Sequence, residues 1–116
     1  MSTVTIVGSY LINSSGNYTA FSYENKKFTD VGPTFCMYYN AAAGINDKGE
    51  IAGTYEHQAI YAKGFSRAAD GTIATFALRG GSTYPWAFAV SINDNGVIAG
   101  WYQDKNGAAR GYLQSQ

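Results

Sequence analysis

Residues 45–50 read INDKGE and residues 92–97 read INDNGV, and each runs straight into an apolar-glycine-aromatic phrase, IAGTY at 51–55 and IAGWY at 98–102. A chain of 116 residues that writes nearly the same phrase twice declares a repeated structural unit before it declares any chemistry. A looser copy, IVGSY, stands at 6–10, so Gly8, Gly53 and Gly100 recur 45 and 47 residues apart. Ten or eleven residues after each phrase comes an aromatic strand centre: Phe21 in TAFSY, Phe65 in AKGFSR and Tyr112 in ARGYLQ. KKFTDVG at 26–32 and TIATFALRG at 72–80 supply a third strand, and AAAGIND at 41–47 and AFAVSIND at 87–94 a fourth.

Short polar loops separate these runs: NSSGN, ENKK, NDKG, ADG, NDNG and DKNG. Most end in glycine, the residue that adopts positive φ without a Cβ clash, which is hairpin punctuation. No segment sustains an apolar i, i+3, i+4, i+7 pattern, and glycine interrupts every candidate window, so helix is not expected beyond a single turn. The reading is an all-β chain of antiparallel four-stranded meander repeats, as one domain over 1–116. Its units span approximately 4–49 and 50–96, with a half-unit at 97–116. Repeats of about 40–50 residues, each a four-stranded meander, describe the blades of a β-propeller. About two and a half units leave sheet edges that must be closed, either by oligomerisation or by curling into a single small β-barrel or trefoil-like body. The sequence favours assembly, with a neighbouring chain completing the half-unit.

Composition narrows the partners. Eight basic residues balance eight acidic ones, so no broad attraction to nucleic acid or to an anionic membrane is built in. Charged residues make up 14% and aromatic residues 16%, with ten Tyr and fourteen Gly, a balance suited to short twisted strands and tight turns rather than disorder. No run approaches the ~18 apolar residues of a membrane-spanning helix. MSTVTIVGSYL lacks a positively charged start and reads as a strand, so no signal peptide is expected in the chain; the sequence leaves the compartment open between cytoplasmic and, for a mature form, secreted. Cys36, a single cysteine, makes no internal disulfide and no metal spacing, and reads as a small apolar residue.

GINDKGEIAGTY followed by KGFSR, and SINDNGVIAGWY followed by RGYLQ, resemble the HAF-type repeat of bacterial, often extracellular, proteins. The units of that family read roughly A-x-x-IND-x-G-x-IVG-x-Y and then G-F. The similarity covers 41–66 and 87–114 well and 4–32 more weakly, since AFSY stands where G-F belongs. The resemblance implies a propeller-like array and carries no shared activity or catalytic residue set.

The repeated acidic turns invite a calcium reading through Asp47 and Asp94, but an EF-hand-like loop needs a Glu six residues after its Gly, where Tyr55 and Tyr102 stand. Asn and Asp also bond their own backbone in tight turns, so INDxG reads as a hairpin turn, with no metal and no cofactor. Glu56 and His57 are adjacent on a strand and point to opposite faces, which makes a proton-transfer pair awkward. Asp30, Glu50, Asp70 and Asp104 could supply the two carboxylates of a glycoside-type hydrolase only if two faced across a cleft. No catalytic residue is assigned.

Two segments differ in kind. GPTFCMYYN at 32–40 and GGSTYPWAF at 80–88 contain both prolines, occupy equivalent places in the two units, and are dense in aromatics. Phe35, Tyr38, Tyr39, Tyr84 and Trp86 form the candidate ligand-binding set, since Tyr and Trp offer a flat apolar body with a polar edge to a sugar ring or a protein partner. The competing reading makes them packing or interface residues. Trp101, which replaces Thr54 of the preceding copy, and Tyr112 are the candidate interface residues of a homo-oligomer. The expectation is therefore a non-enzymatic, self-associating binding module for a carbohydrate or a protein, against a purely structural or assembly role and a glycoside-type hydrolase.

Overall fold

A computed structural model describes residues 4–12, 16–33, 39–57, 61–76, 87–104 and 106–115, the side chains of His57, Tyr61 and Ala62 excepted. Among these residues the secondary structure is all strand and turn. The strands are β1 (Ile6–Leu11), β2 (Tyr18–Glu24), β3 (Lys27–Asp30), β4 (Tyr39–Ile45), β5 (Ile51–His57), β6 (Tyr61–Arg67), β7 (Ile73–Phe76), β8 (Ala87–Ile92), β9 (Ile98–Gln103) and β10 (Ala109–Gln114). Each strand coincides with a run read from the sequence. No helix among the described residues is long and apolar enough to cross a membrane.

Hydrogen bonding sorts the strands into three antiparallel groups: β1–β2–β3, the meander β4–β5–β6–β7, and β8–β9–β10. The first two groups join into one seven-stranded sheet, and the third is a separate three-stranded sheet. Two expectations are corrected. The strands are not antiparallel throughout, because β2 and β4 meet in parallel at Tyr18 and Tyr39. Nor do they close into a barrel: the sheets are open, in the orders β1-β2-β4-β5-β6-β7, with β3 on β2, and β10-β9-β8. Backbone and side-chain hydrogen bonds hold the parallel junction. After β3 the Val31 amide donates back to the Ala20 carbonyl, burying Val31, and the chain re-enters as β4 alongside β2. There the buried Asn40 side chain stands in for a strand backbone, its Oδ1 accepting from the Ala20 amide at 2.5 Å and from the Thr19 hydroxyl at 3.3 Å. A Cβ on Gly32 would fall on that amide group, which fixes glycine at this position.

Period-two alternation decides what each sheet buries. Ile51, Tyr55 and Phe65 project from one face of the middle meander, and with Ala42, Ile45 and Ile73 they pack on Val7, Ala20 and Val31 of the β1–β3 group. From the opposite face Ala52 and Phe76 pack on Ala89, Ile92 and Ile98 of the β8–β10 sheet. Among the described residues the middle meander is thus covered on both faces and each outer group on one.

The repeated phrase has a physical meaning here. Gly8 pairs across the strands with Phe21, Gly53 with Phe65 and Gly100 with Tyr112, all in the same register. The ring lies over the glycine, so a Cβ on Gly53 would come within 2.5 Å of the Phe65 ring and 2.3 Å of the Ala41 carbonyl. A ring covering a glycine hydrogen is a compact way to fill a sheet face that must lie close against its neighbour.

The four loops that lead β4 into β5, β6 into β7, β8 into β9 and β9 into β10 share one design. In each, the residue before the turn and the residue after the glycine bond across it, as in Asn46 N–H to the Glu50 carbonyl at 3.0 Å, and the glycine amide closes the turn, as in Gly49 N–H to the Asn46 carbonyl at 3.1 Å. Gly49, Gly71, Gly96 and Gly107 all have positive φ, between 80° and 98°, the left-handed position of a three-residue hairpin. Asn46, Asn93 and Asp104 add a side-chain oxygen that accepts two loop amides each.

Candidate functional site

The two IND loops do more than turn the chain. Asn46 Nδ2 donates to the Asn93 carbonyl at 2.9 Å, and the Asp47 amide donates to Asp94 Oδ1 at 2.8 Å, so equivalent residues of successive copies bond to each other. This side of the molecule fastens the middle meander to the β8–β10 sheet. Asp94 spends its carboxylate on a backbone amide, and among the described residues no three His, Cys, Asp or Glu side chains group to hold a metal ion.

The opposite ends of β4 and β8 are where the two aromatic segments enter. β4 begins at Tyr39 and β8 at Ala87, and both strands run towards the bonded IND loops. They lie side by side, the β4 backbone at Gly44 approaching Ser91 and the buried Thr54 hydroxyl accepting from the Ala89 amide at 3.0 Å. Segments 32–40 and 80–88 thus lead into two strands that pack against each other. Tyr39 makes an edge-on ring contact with Tyr18 at 5.9 Å. Phe35, Tyr38, Tyr84 and Trp86 lie outside the described residues, as does Cys36.

The two candidate interface residues part company. Trp101 is exposed and stacks on Phe88 with ring centroids 4.5 Å apart and planes 22° apart. Tyr112 turns the other way: its ring covers Gly100 and meets Phe76 at 6.2 Å, and its hydroxyl donates to the Phe88 carbonyl at 3.1 Å. Desolvation there pushes the Tyr112 hydroxyl pKa up to about 12.

An aromatic surface that the sequence reading did not single out covers the outer face of β1–β3. Tyr10 meets Phe21 at 6.1 Å, Phe21 meets Phe28 at 5.4 Å, and Phe28 meets Tyr23 at 4.6 Å, with Ile6 beside them. Phe28 and Ile6 are exposed. The signal was available: Ile6, Tyr10 and Phe21 hold the register positions of Ile51, Tyr55 and Phe65, and all share one strand parity. The Tyr10 hydroxyl donates to Asp30 Oδ1 at 2.8 Å, and this bond to a carboxylate raises its pKa.

The carboxylates considered for hydrolysis are each held locally. Asp30 accepts from Tyr10, and Glu50 Oε1 accepts from Asn46 Nδ2 at 2.6 Å. Asp70 accepts from the Thr72 amide, which lowers its pKa. Asp104 accepts the Arg110 guanidinium at 2.7 Å and two loop amides, which hold its carboxyl below the usual value. A general acid needs the opposite shift. A cleft of about 120 Å³, lined by Glu50, Ser66, Arg67, Thr72 and Ile92 among others, is smaller than the ~300 Å³ at which small-molecule sites begin.

Comparison of the chain with protein-family models, curated proteins and solved structures gives no match in any of the three.

Proposed function

We propose that this chain is a non-enzymatic β-repeat module of the HAF type, propeller-like and self-associating, which holds a carbohydrate or protein ligand through its two aromatic segments, 32–40 and 80–88. The observation that supports this most is that the strands these segments lead into, β4 and β8, pack against each other and run on into the interlocked IND loops. Aromatic-rich loops on a stiff sheet scaffold suit recognition, because the flat side chains lose little entropy on binding. On this reading Phe35, Tyr38 and Tyr39 act together with Tyr84 and Trp86.

A glycan array and a pull-down on the purified protein test the proposal. Binding that disappears in the double variant Tyr84→Ala, Trp86→Ala, with circular dichroism unchanged, is the expected result. Ligand capture that survives the double variant would place recognition elsewhere. A second reading, a purely structural assembly protein, is favoured by the exposed apolar faces of the two outer strand groups. It expects no ligand and a loss of the oligomer on mutation of those faces.

A further inference from the structure

We infer that a second copy of the chain docks head to tail, the outer face of β1–β3 of one protomer packing on the outer face of β8–β10 of the next, and that two copies close a ring through two such contacts. The inference deepens the self-association proposed above and rests on it.

The two faces correspond to buried ones by register. Within the chain the face carrying Ile51, Tyr55 and Phe65 is buried on the group that precedes it. The same positions of the next copy, Ile98 and Tyr112, also turn towards the sheet that precedes them. In the first copy they are Ile6, Tyr10 and Phe21, chemically the same set, and there they face outward: Ile6 is 53% exposed where Ile51 is 2%. The chain thus displays one unburied example of a surface it buries elsewhere.

The complementary face is displayed at the other end. In the middle meander Thr54 and Ser66 point at the following sheet and are 6% and 7% exposed. Their equivalents in β9 and β10 are Trp101 and Leu113, 41% and 77% exposed. The positions that a following sheet would cover have become larger and more apolar. The face shared by Trp101 carries Ala99, Gln103, Ala109, Gly111 and Leu113, with no charge. The β1–β3 face has one charge at its rim, Asp30, already bonded by Tyr10. The contact therefore brings in a single charge, Asp30 at the rim, hydrogen-bonded by the neutral Tyr10 hydroxyl, and docking continues the sheet-on-sheet packing already formed twice in the chain. Such a contact joins two different surfaces, so it propagates until it closes. Two chains of three strand groups each make six, within the roughly 4–8 units of closed β-propeller rings.

Sedimentation equilibrium on the protein, with Ile6→Asp and Trp101→Asp made separately, tests this. The parent is expected at about 25 kDa, twice its 12.5 kDa chain mass, and each variant at one chain, with circular dichroism unchanged. An equimolar mixture of the two variants is expected to recover a two-chain species, because each supplies the face the other lacks; a contact of identical faces would not do this. Leu113→Lys repeats the test should Trp101→Asp fail to fold. A parent of one chain overturns both this inference and the self-association. A two-chain mass that persists in all the variants, or a mass of three chains or more, overturns the head-to-tail ring and leaves self-association standing.

Discussion

A glycine under an aromatic ring is the smallest device repeated in this molecule, and its tolerance depends on what lies behind the ring. At Gly53 a methyl group would meet the Ala41 carbonyl at 2.3 Å and the buried Phe65 ring, neither of which can move without shifting a core strand. At Gly8 the nearest atoms belong to the Phe21 ring at 3.1 Å, on the outer face of β1–β3. Gly53→Ala is expected to cost ~3 kcal/mol, at the upper end of overpacking effects, and Gly8→Ala under ~1 kcal/mol. Chemical denaturation of the two variants checks the difference. Asp104 offers a second test at this scale. Its bonds from Arg110 and from the Asn106 and Ala108 amides favour the ionised carboxylate, so its folded pKa lies below the reference value of 3.8. The contribution of these bonds is whole above 3.8 and is lost as the pH falls through the lower folded value. Amide chemical shifts of Asn106 and Ala108 should titrate with a midpoint below 3.8, and Asp104→Asn should abolish that titration while keeping an acceptor in the turn.

Among the elements, the same aromatic residue in the same register does different work in different copies. Phe65 is buried between β4–β7 and the β1–β3 group, and Phe21 holds the equivalent place on an outer face. Phe65→Ala is expected to cost ~3–5 kcal/mol through the cavity it leaves, and Phe21→Ala no more than about 1 kcal/mol in the folded protomer. Thermal unfolding measured at concentrations that keep the protein monomeric distinguishes them. The turns were readable from composition, since Asn or Asp followed by glycine after an apolar run specifies a hairpin with a left-handed glycine. What joins element to element was not. Asp47 bonding Asp94, and Asn40 substituting for a strand at the parallel junction, depend on how separately formed hairpins meet, and no local pattern encodes that.

For the whole molecule, the proposed head-to-tail assembly makes two outer faces decide behaviour in solution. Association through mainly apolar faces that hold no ion pair across the contact should resist salt and strengthen with sulfate, because screening acts on charges while sulfate favours apolar burial. Light scattering is therefore expected to show the two-chain mass undiminished in about 1 M sodium chloride and persisting to lower protein concentration in sodium sulfate. A mass that halves with salt would point instead to ion pairs.

The sequence by itself determined the ten strands, their hairpin loops and the register of glycine against aromatic, because each rests on periods of two and on turn chemistry that act over a few residues. It also set the repeat that makes residue-by-residue equivalence meaningful. Only the tertiary structure decided which copy of a repeated face is buried and which is open, that Tyr112 packs within its own chain while Trp101 faces out, and that β2 and β4 meet in parallel. The physical reason is that a strand has two faces and the sequence marks both as apolar. Burial is then settled by which sheet comes to lie against which, a property of the packed molecule.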